Sequence, residues 1–268
     1  MSPRSPAPIR RALALRSSRG RGKSGHYLIE GARGALDALE RTRSVVEVLI
    51  SDAAGEEAST SVRRAAERFA VPVHAVANDD FRRIAQVVHT QGIAAIARKP
   101  PEPAPTTPLL PRGPGVALVL DGVRDPGNLG TISRTAEAAG CTGLILTPGC
   151  GDLYNPKVVR AAFGSLINLH SRSLPPEAIV AAARKEELPL VLLDADQGLP
   201  LQEFNAPDRM ILVAGGEPNG VGKTLRRAAT SRLRFDLRGG VESLNVAVAT
   251  GIALFACRDR RPLRKVQR

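Results

Sequence analysis

Residues 116–140 read VALVLDGVRDPGNLGTISRTAEAAG. The opening VALVLDGV is almost continuously apolar, the pattern of a strand buried on both faces. Asp125, Pro126, Gly127 and Asn128 then supply turn chemistry, and helical text runs from about 129 to 139. The same unit recurs downstream. Strands are expected at 143–148, 166–171, 188–195, 210–216 and 232–238. Helical text falls at 156–163, 176–187 and 222–230, and from 243 to about 258. Such alternation predicts an α/β fold with a parallel sheet covered on both faces. Ligands of such sheets bind at the carboxyl ends of the strands, which directs attention to the loops after 121, 215 and 238.

Upstream, KPPEPAPTTPLLPRGP (99–114) holds seven prolines in sixteen positions. Proline removes a backbone donor and pushes its predecessor out of the helical region, so the stretch reads as a semi-rigid linker. It divides the chain into a basic flexible arm (1–25), a small domain (26–98) and a large domain (115–260), with a basic tail at 261–268. In the small domain helices are expected at 31–41, 57–69 and 79–87, and strands at 45–51, 71–76 and 92–97. This is a compact α/β module, and there is no internal repeat.

The 268 residues are 43% hydrophobic and 24% charged, an ordinary globular balance. Their net charge of +12 is concentrated at the two ends. Residues 1–25 carry seven Lys or Arg and no acid, and residues 258–268 carry six with one acid. Residues 26–257 are formally neutral, so the layout suits arms lying on a polyanion. With two Tyr, six Phe and no Trp, phosphate contacts rather than base stacking must dominate any binding of nucleic acid. No apolar run approaches the ~20 residues of a membrane helix, and no secretory signal is expected. Cys141, Cys150 and Cys257 form no CxxC pair, so a disulfide framework and a zinc ribbon are both unexpected. The reading is a reduced, cytoplasmic protein without a membrane partner.

Two familiar motifs fail on inspection. GGEPNGVGKT (215–224) resembles a phosphate-binding loop, but Glu217 occupies the position that needs glycine. PGNLGT (126–131) lacks the dinucleotide spacing. The four histidines are dispersed, make no metal-ligand spacing and form no Ser/His/Asp grouping, so no metal is expected. Three segments then remain. In the first, Asn128 can cap a helix or face a ligand, with Arg134 nearly two turns on. In the second, Glu217 follows a buried strand at a glycine turn, where an acid must be solvated, paired or functional. In the third, Ser243 can cap a helix whose Leu244, Val248, Ile252 and Phe255 have core-like spacing. Asn245 there is a poor helix former with no evident structural reason.

Together the segments resemble the three signature motifs of the SpoU (TrmH-like) family of RNA ribose 2′-O-methyltransferases, in the SPOUT superfamily. The match runs as N-x-G-x-x-x-R (Asn128, Gly130, Arg134), L-V-x-G-x-E-x-x-G (212–220) and E-S-L-N-V-x-V-A (242–249). LYNPKVVRAAFGSL (153–166) resembles the segment between the first two motifs. HYLIEGARGALDAL and VVHTQGIAAIA look like the family's N-terminal substrate-binding domain. Two departures stand out: Phe235-Asp236-Leu237 replaces the usual Ile-Pro-Met, and Pro218 stands where glycine is common.

The resemblance implies a Rossmann-like parallel sheet whose C-terminal part forms a trefoil knot, preceded by the small α/β substrate-binding domain. It implies S-adenosyl-L-methionine as cofactor, held by Gly215, Gly216, Phe235, Leu237 and Leu244. It also implies a homodimer acting on RNA, with ribosomal RNA of the 23S type favoured over transfer RNA. Asn128, Arg134, Glu217, Ser243 and Asn245 form the implied catalytic set. Arginine is commonly cast as the base, but a guanidinium, which holds its proton firmly, suits a bidentate clamp better. The base is then substrate phosphate or Glu217. The alternatives are a transfer-RNA enzyme of the same family, a catalytically weak RNA-binding accessory protein, and a nucleotide hydrolase built on Lys223.

Overall fold

The structure is a computed structural model, which describes residues 6–104, 106–216 and 220–259. The chain opens with α1 (Ala7–Ala14), α2 (Ser18–Ser24), β1 (His26–Glu30), α3 (Ala32–Arg41) and β2 (Val45–Ser51). It continues through α4 (Glu56–Arg68), β3 (Val73–Val76), α5 (Asn78–Ile84) and β4 (Ile93–Arg98). Then come β5 (Gly115–Asp121), α6 (Pro126–Ala138), β6 (Gly143–Leu146), α7 (Pro156–Ala162), β7 (Ser171–Ser173) and α8 (Pro176–Lys185). The last elements are β8 (Leu190–Leu193), β9 (Leu199–Pro200), β10 (Arg209–Gly215), α9 (Lys223–Ala228), β11 (Ser231–Arg234) and α10 (Val246–Asp259). They form two compact units. One runs to Pro101 and takes in Asp152–Ile167, and the other holds the rest.

The small unit is built on a four-stranded mixed sheet in the order β1-β4-β2-β3, with only β2 and β3 parallel. Its core includes Leu28, Leu49, Phe81, Ile84 and Ile96, joined by Ile9, Ala12 and Leu15 from the N-terminal end. That last fact corrects the flexible arm expected over 1–25. Residues 7–24 form two helices, because Ile9, Ala12 and Leu15 recur at the spacing that puts one apolar stripe on the sheet. Their charges are also engaged internally. Arg11 pairs with Glu47, Arg16 donates to the Arg83 carbonyl, and the buried Arg21 donates to Asp152 at 2.7 and 2.9 Å. Ser17 caps α2, and a Cβ on Gly20 would overlap the Ala14 carbonyl oxygen, so the α1–α2 corner requires glycine.

Asp152–Ile167 completes this unit from far along the chain. Beyond the Arg21–Asp152 pair, the Tyr154 ring lies 4.9 Å from that of Tyr27, and α7 packs on β1 through a buried face that includes Val158, Val159 and Ala162.

The large unit is a seven-stranded sheet in the order β7-β6-β5-β10-β8-β11-β9, parallel throughout. Central strands such as VALVL and MILVA are buried along their length because helices cover both faces. α8 packs with α9, and α6 packs with α10. The linker expected over 99–114 needs correcting at its end. Leu109 and Leu110 are buried in the large core, where Arg172 donates to the carbonyls of Thr107 and Pro108. The strand expected at 166–171 is also displaced. Residues 165–167 form a 3₁₀ turn, and the strand is Ser171–Ser173. Among the described residues no helix is long and apolar enough to cross a membrane.

Candidate active site

β5 ends at Asp121, whose carboxylate ties three loops together. Oδ1 accepts from the Thr147 hydroxyl at 2.6 Å, and Oδ2 accepts from the Gly222 amide at 2.7 Å. Its carbonyl takes the Gly216 amide at 2.8 Å. Gly216 itself lies against Gly122, and a Cβ there would overlap the Gly122 carbonyl oxygen. Cys150 lies close by, donating from Sγ to the Leu120 carbonyl at 3.2 Å. Burial pushes its thiol pKa up, which leaves it a neutral donor rather than a nucleophile.

The start of α6 frees Asn128 for other work. Asp125 is the N-cap, accepting from the Asn128 amide at 2.8 Å, so the Asn128 side chain is not the cap. It accepts instead from Asn245 Nδ2 at 3.0 Å. Asn245 in turn caps α10, its Oδ1 accepting from the amides of Ala247 and Val248. The sequence reading placed Ser243 at that cap and Asn245 inside the first turn. The helix begins at Val246, three residues after Ser243. The structural reason missing for Asn245 is therefore this cap, which also fixes its amide so that nitrogen faces Asn128. The couple leaves the Asn128 N–H pair as its donor side.

Around the carboxyl ends of β8, β10 and β11 lies a cleft of about 200 Å³. Gly215 and Gly216 line it from β10, Phe235 and Leu237 from the chain after β11, and Ser243 and Leu244 from the approach to α10. All five residues expected to hold the cofactor thus meet in one place. Arg134 is exposed on α6 and is not among the lining residues. Glu217 lies outside the described residues. Val248 and Ile252, expected in the core, are 50% and 45% exposed, and the buried side of α10 runs instead through Val246, Thr250, Ala253 and Cys257.

Sequence reasoning missed the wall formed by Leu193, Asp194 and Ala195. Asp194 Oδ2 accepts from Arg226 at 2.6 Å, and Oδ1 accepts from the amides of Asp196 and Gln197. Arg226 also donates to the Val221 carbonyl at 3.4 Å, so the pair connects the loops after β8 and β10. The signal was present in LVLLD, an acid directly after a buried apolar run. Among the described residues no group of three or more His, Cys, Asp or Glu side chains is placed to hold a metal ion.

Residues 115–255, which contain the whole cleft, match the model of the SpoU rRNA methylase family. The chain belongs to that family. Residues 7–95 match the MRM3-like substrate binding domain that accompanies it. The SpoU chain is 31% identical over 246 residues to the 23S rRNA (guanosine(2553)-2′-O)-methyltransferase RlmP of Bacillus subtilis, covering 91% of this chain and 93% of that one. Its structure is similar to that of a TrmH-family RNA methyltransferase from Porphyromonas gingivalis, with a TM-score of 0.82, 30% identity and coverage of 97% and 100%. It is also similar to an AdoMet-bound rRNA methyltransferase from Sinorhizobium meliloti, with a TM-score of 0.83, 25% identity and coverage of 97% of each chain.

Proposed function

We propose that this SpoU chain transfers a methyl group from S-adenosylmethionine to a ribose 2′-hydroxyl in RNA, with 23S ribosomal RNA as substrate. The observation that carries the reading is the glycine-lined, largely apolar cleft in which Gly215, Gly216, Phe235, Leu237 and Leu244 converge beside the Asn128–Asn245 couple. The cleft suits that cofactor in its apolar walls and in the two glycines that keep side chains out of it. When bound, the cofactor supplies an already activated sulfonium methyl. The protein's own contributions are therefore orientation and removal of the hydroxyl proton. Asn128 and Ser243 offer hydrogen bonds to ribose, and Asn245 holds Asn128 in place. Arg134 clamps phosphate and stabilises the developing alkoxide through its planar fork, while substrate phosphate or Glu217 takes the proton.

The trefoil knot and the homodimer belong to the same reading. Val248 and Ile252, one turn apart on α10, leave an apolar stripe that a second copy would cover. The same reading takes the cytoplasm as the place where this chain works. Calorimetry on the full chain with S-adenosylmethionine and with ATP tests the cofactor, and transfer of labelled methyl to 23S rRNA against tRNA tests the substrate. Binding of ATP with no response to the methyl donor would sink the reading.

A further inference from the structure

A second cleft, of about 520 Å³, opens in the small unit on the sheet face that α1 and α5 cover. The strand register explains its lining. His26 on β1 is paired with Arg98 on β4, Ile96 with Glu47 on β2, and Leu49 with His74 on β3. Alternation along each strand then puts His26, Arg98, Ile96, Glu47 and His74 on one face. Val46, Pro72 and Ile96 make apolar walls, and Arg98 and His26 stand on adjacent strands at one end.

Glu47 is the informative residue. Its side chain is only 7% exposed, yet it stands inside a strand. It accepts from Arg11 Nε at 2.6 Å, from Arg11 Nη2 and from His74 Nε2 at 3.0 Å. A carboxylate can accept about four hydrogen bonds, so one acceptor position remains. His26 Nδ1 lies 2.6 Å from the Ser24 carbonyl, which can only accept, so Nδ1 carries a proton and the ring orientation is fixed.

We propose that this cleft holds one unstacked nucleotide of the RNA, its phosphate on Arg98 and His26, its base between the apolar walls, and a base N–H donor on Glu47. The inference rests on the RNA reading above and deepens it. An inorganic anion would use the cations and leave the walls and the buried acceptor unexplained. An uncharged apolar ligand would use the walls and leave the cations unexplained. A nucleotide matches all three features, since a base offers an N–H donor for the one open acceptor position.

The test uses the full chain, whose four histidines give an uncrowded imidazole NMR spectrum. 5′-GMP and, separately, inorganic phosphate are titrated to about 10 mM, the range of a weak single-nucleotide site. The expected result is a shift of the His26 and His74 signals by GMP at lower concentration than by phosphate. Arg98→Ala should weaken GMP at least about tenfold. Glu47→Gln should shrink the margin of GMP over phosphate, and Arg98→Ala alone decides if that variant fails to fold. No response at His26 and His74, or an equal response to GMP and phosphate, overturns the proposal. Calorimetry with S-adenosylmethionine and methyl transfer by the unmodified chain report separately on the proposed function, so failure of one is distinguishable from failure of the other.

Discussion

β5, β8 and β10 carry no ionisable side chain between their end residues, whereas β2 and β3 of the small unit carry Glu47 and His74 in mid-strand. A strand covered by helices on both faces has no place for a solvated charge, so these three strands displace their polar chemistry to the strand ends. Asp121 and Asp194 each stand at or just beyond the carboxyl end of a strand, stitching loops around the cleft. The small mixed sheet has an open end where a carboxylate survives by pairing with Arg11 and His74. The acids at the ends of these central strands therefore mark the cleft by position. In the small unit they mark one only once the register is known.

Deleting residues 1–24 tests how separate the two units are, and carries the largest expected effect. Removing Ile9 and Leu15 alone forfeits about 3–6 kcal/mol of burial, confined to the small unit. Hydrogen exchange should accelerate at the β4 amides while affinity for S-adenosylmethionine stays unchanged. Loss of cofactor binding as well would show that the units unfold as one block.

Arg134→Lys probes the chemistry assigned to the large unit. As a point charge without the planar fork, lysine should lower the rate by roughly 10²-fold, or about 2.7 kcal/mol, at every pH. Single-turnover methyl transfer between pH 6 and 10 checks this. Recovery toward the wild-type rate at high pH would restore arginine to the role of base.

Asp194→Asn sharpens the claim that acids at the strand ends shape the cleft. It leaves Arg226 with a weaker partner and loosens the 194–197 turn, which should raise the cofactor dissociation constant about tenfold, or about 1.4 kcal/mol. RNA binding measured by filter retention should be unaffected, and a parallel loss of RNA affinity would contradict the assignment. The smallest effect belongs to Arg19→Gln/Lys23→Gln, two exposed cations of α2. If the small unit lies on RNA with this edge, the log–log salt slope of binding should flatten by up to about 1.4–1.8. An unchanged slope would move the RNA footprint elsewhere on the unit.

The large sheet was legible because buried parallel strands read as continuous apolar runs. The meeting of Gly215, Gly216, Phe235, Leu237 and Leu244 in one cleft was legible because the family's motifs fall where those runs end. Leu166 and Leu169 misled, since both are buried without being in a strand. The pair of residues in β9 is too short to leave any pattern. The N-terminal helices were hidden by their own charge. Seven cations suggested an arm, although Ile9, Ala12 and Leu15 already carried helical spacing. Asn245 could not be assigned as a cap from text alone, because the helix starts two residues later than Ser243 would start it.

The return of Asp152–Ile167 to the small unit bears on how the chain is made. Arg21 and Asp152 are 131 positions apart. At a synthesis rate of about 5–20 residues per second, the buried guanidinium waits roughly 7–26 s for its carboxylate to be polymerised. Tyr27 waits comparably for Tyr154. The N-terminal unit thus cannot finish folding on the ribosome before residues 102–151, the first third of the next unit, have emerged, so its folding overlaps the synthesis of that unit.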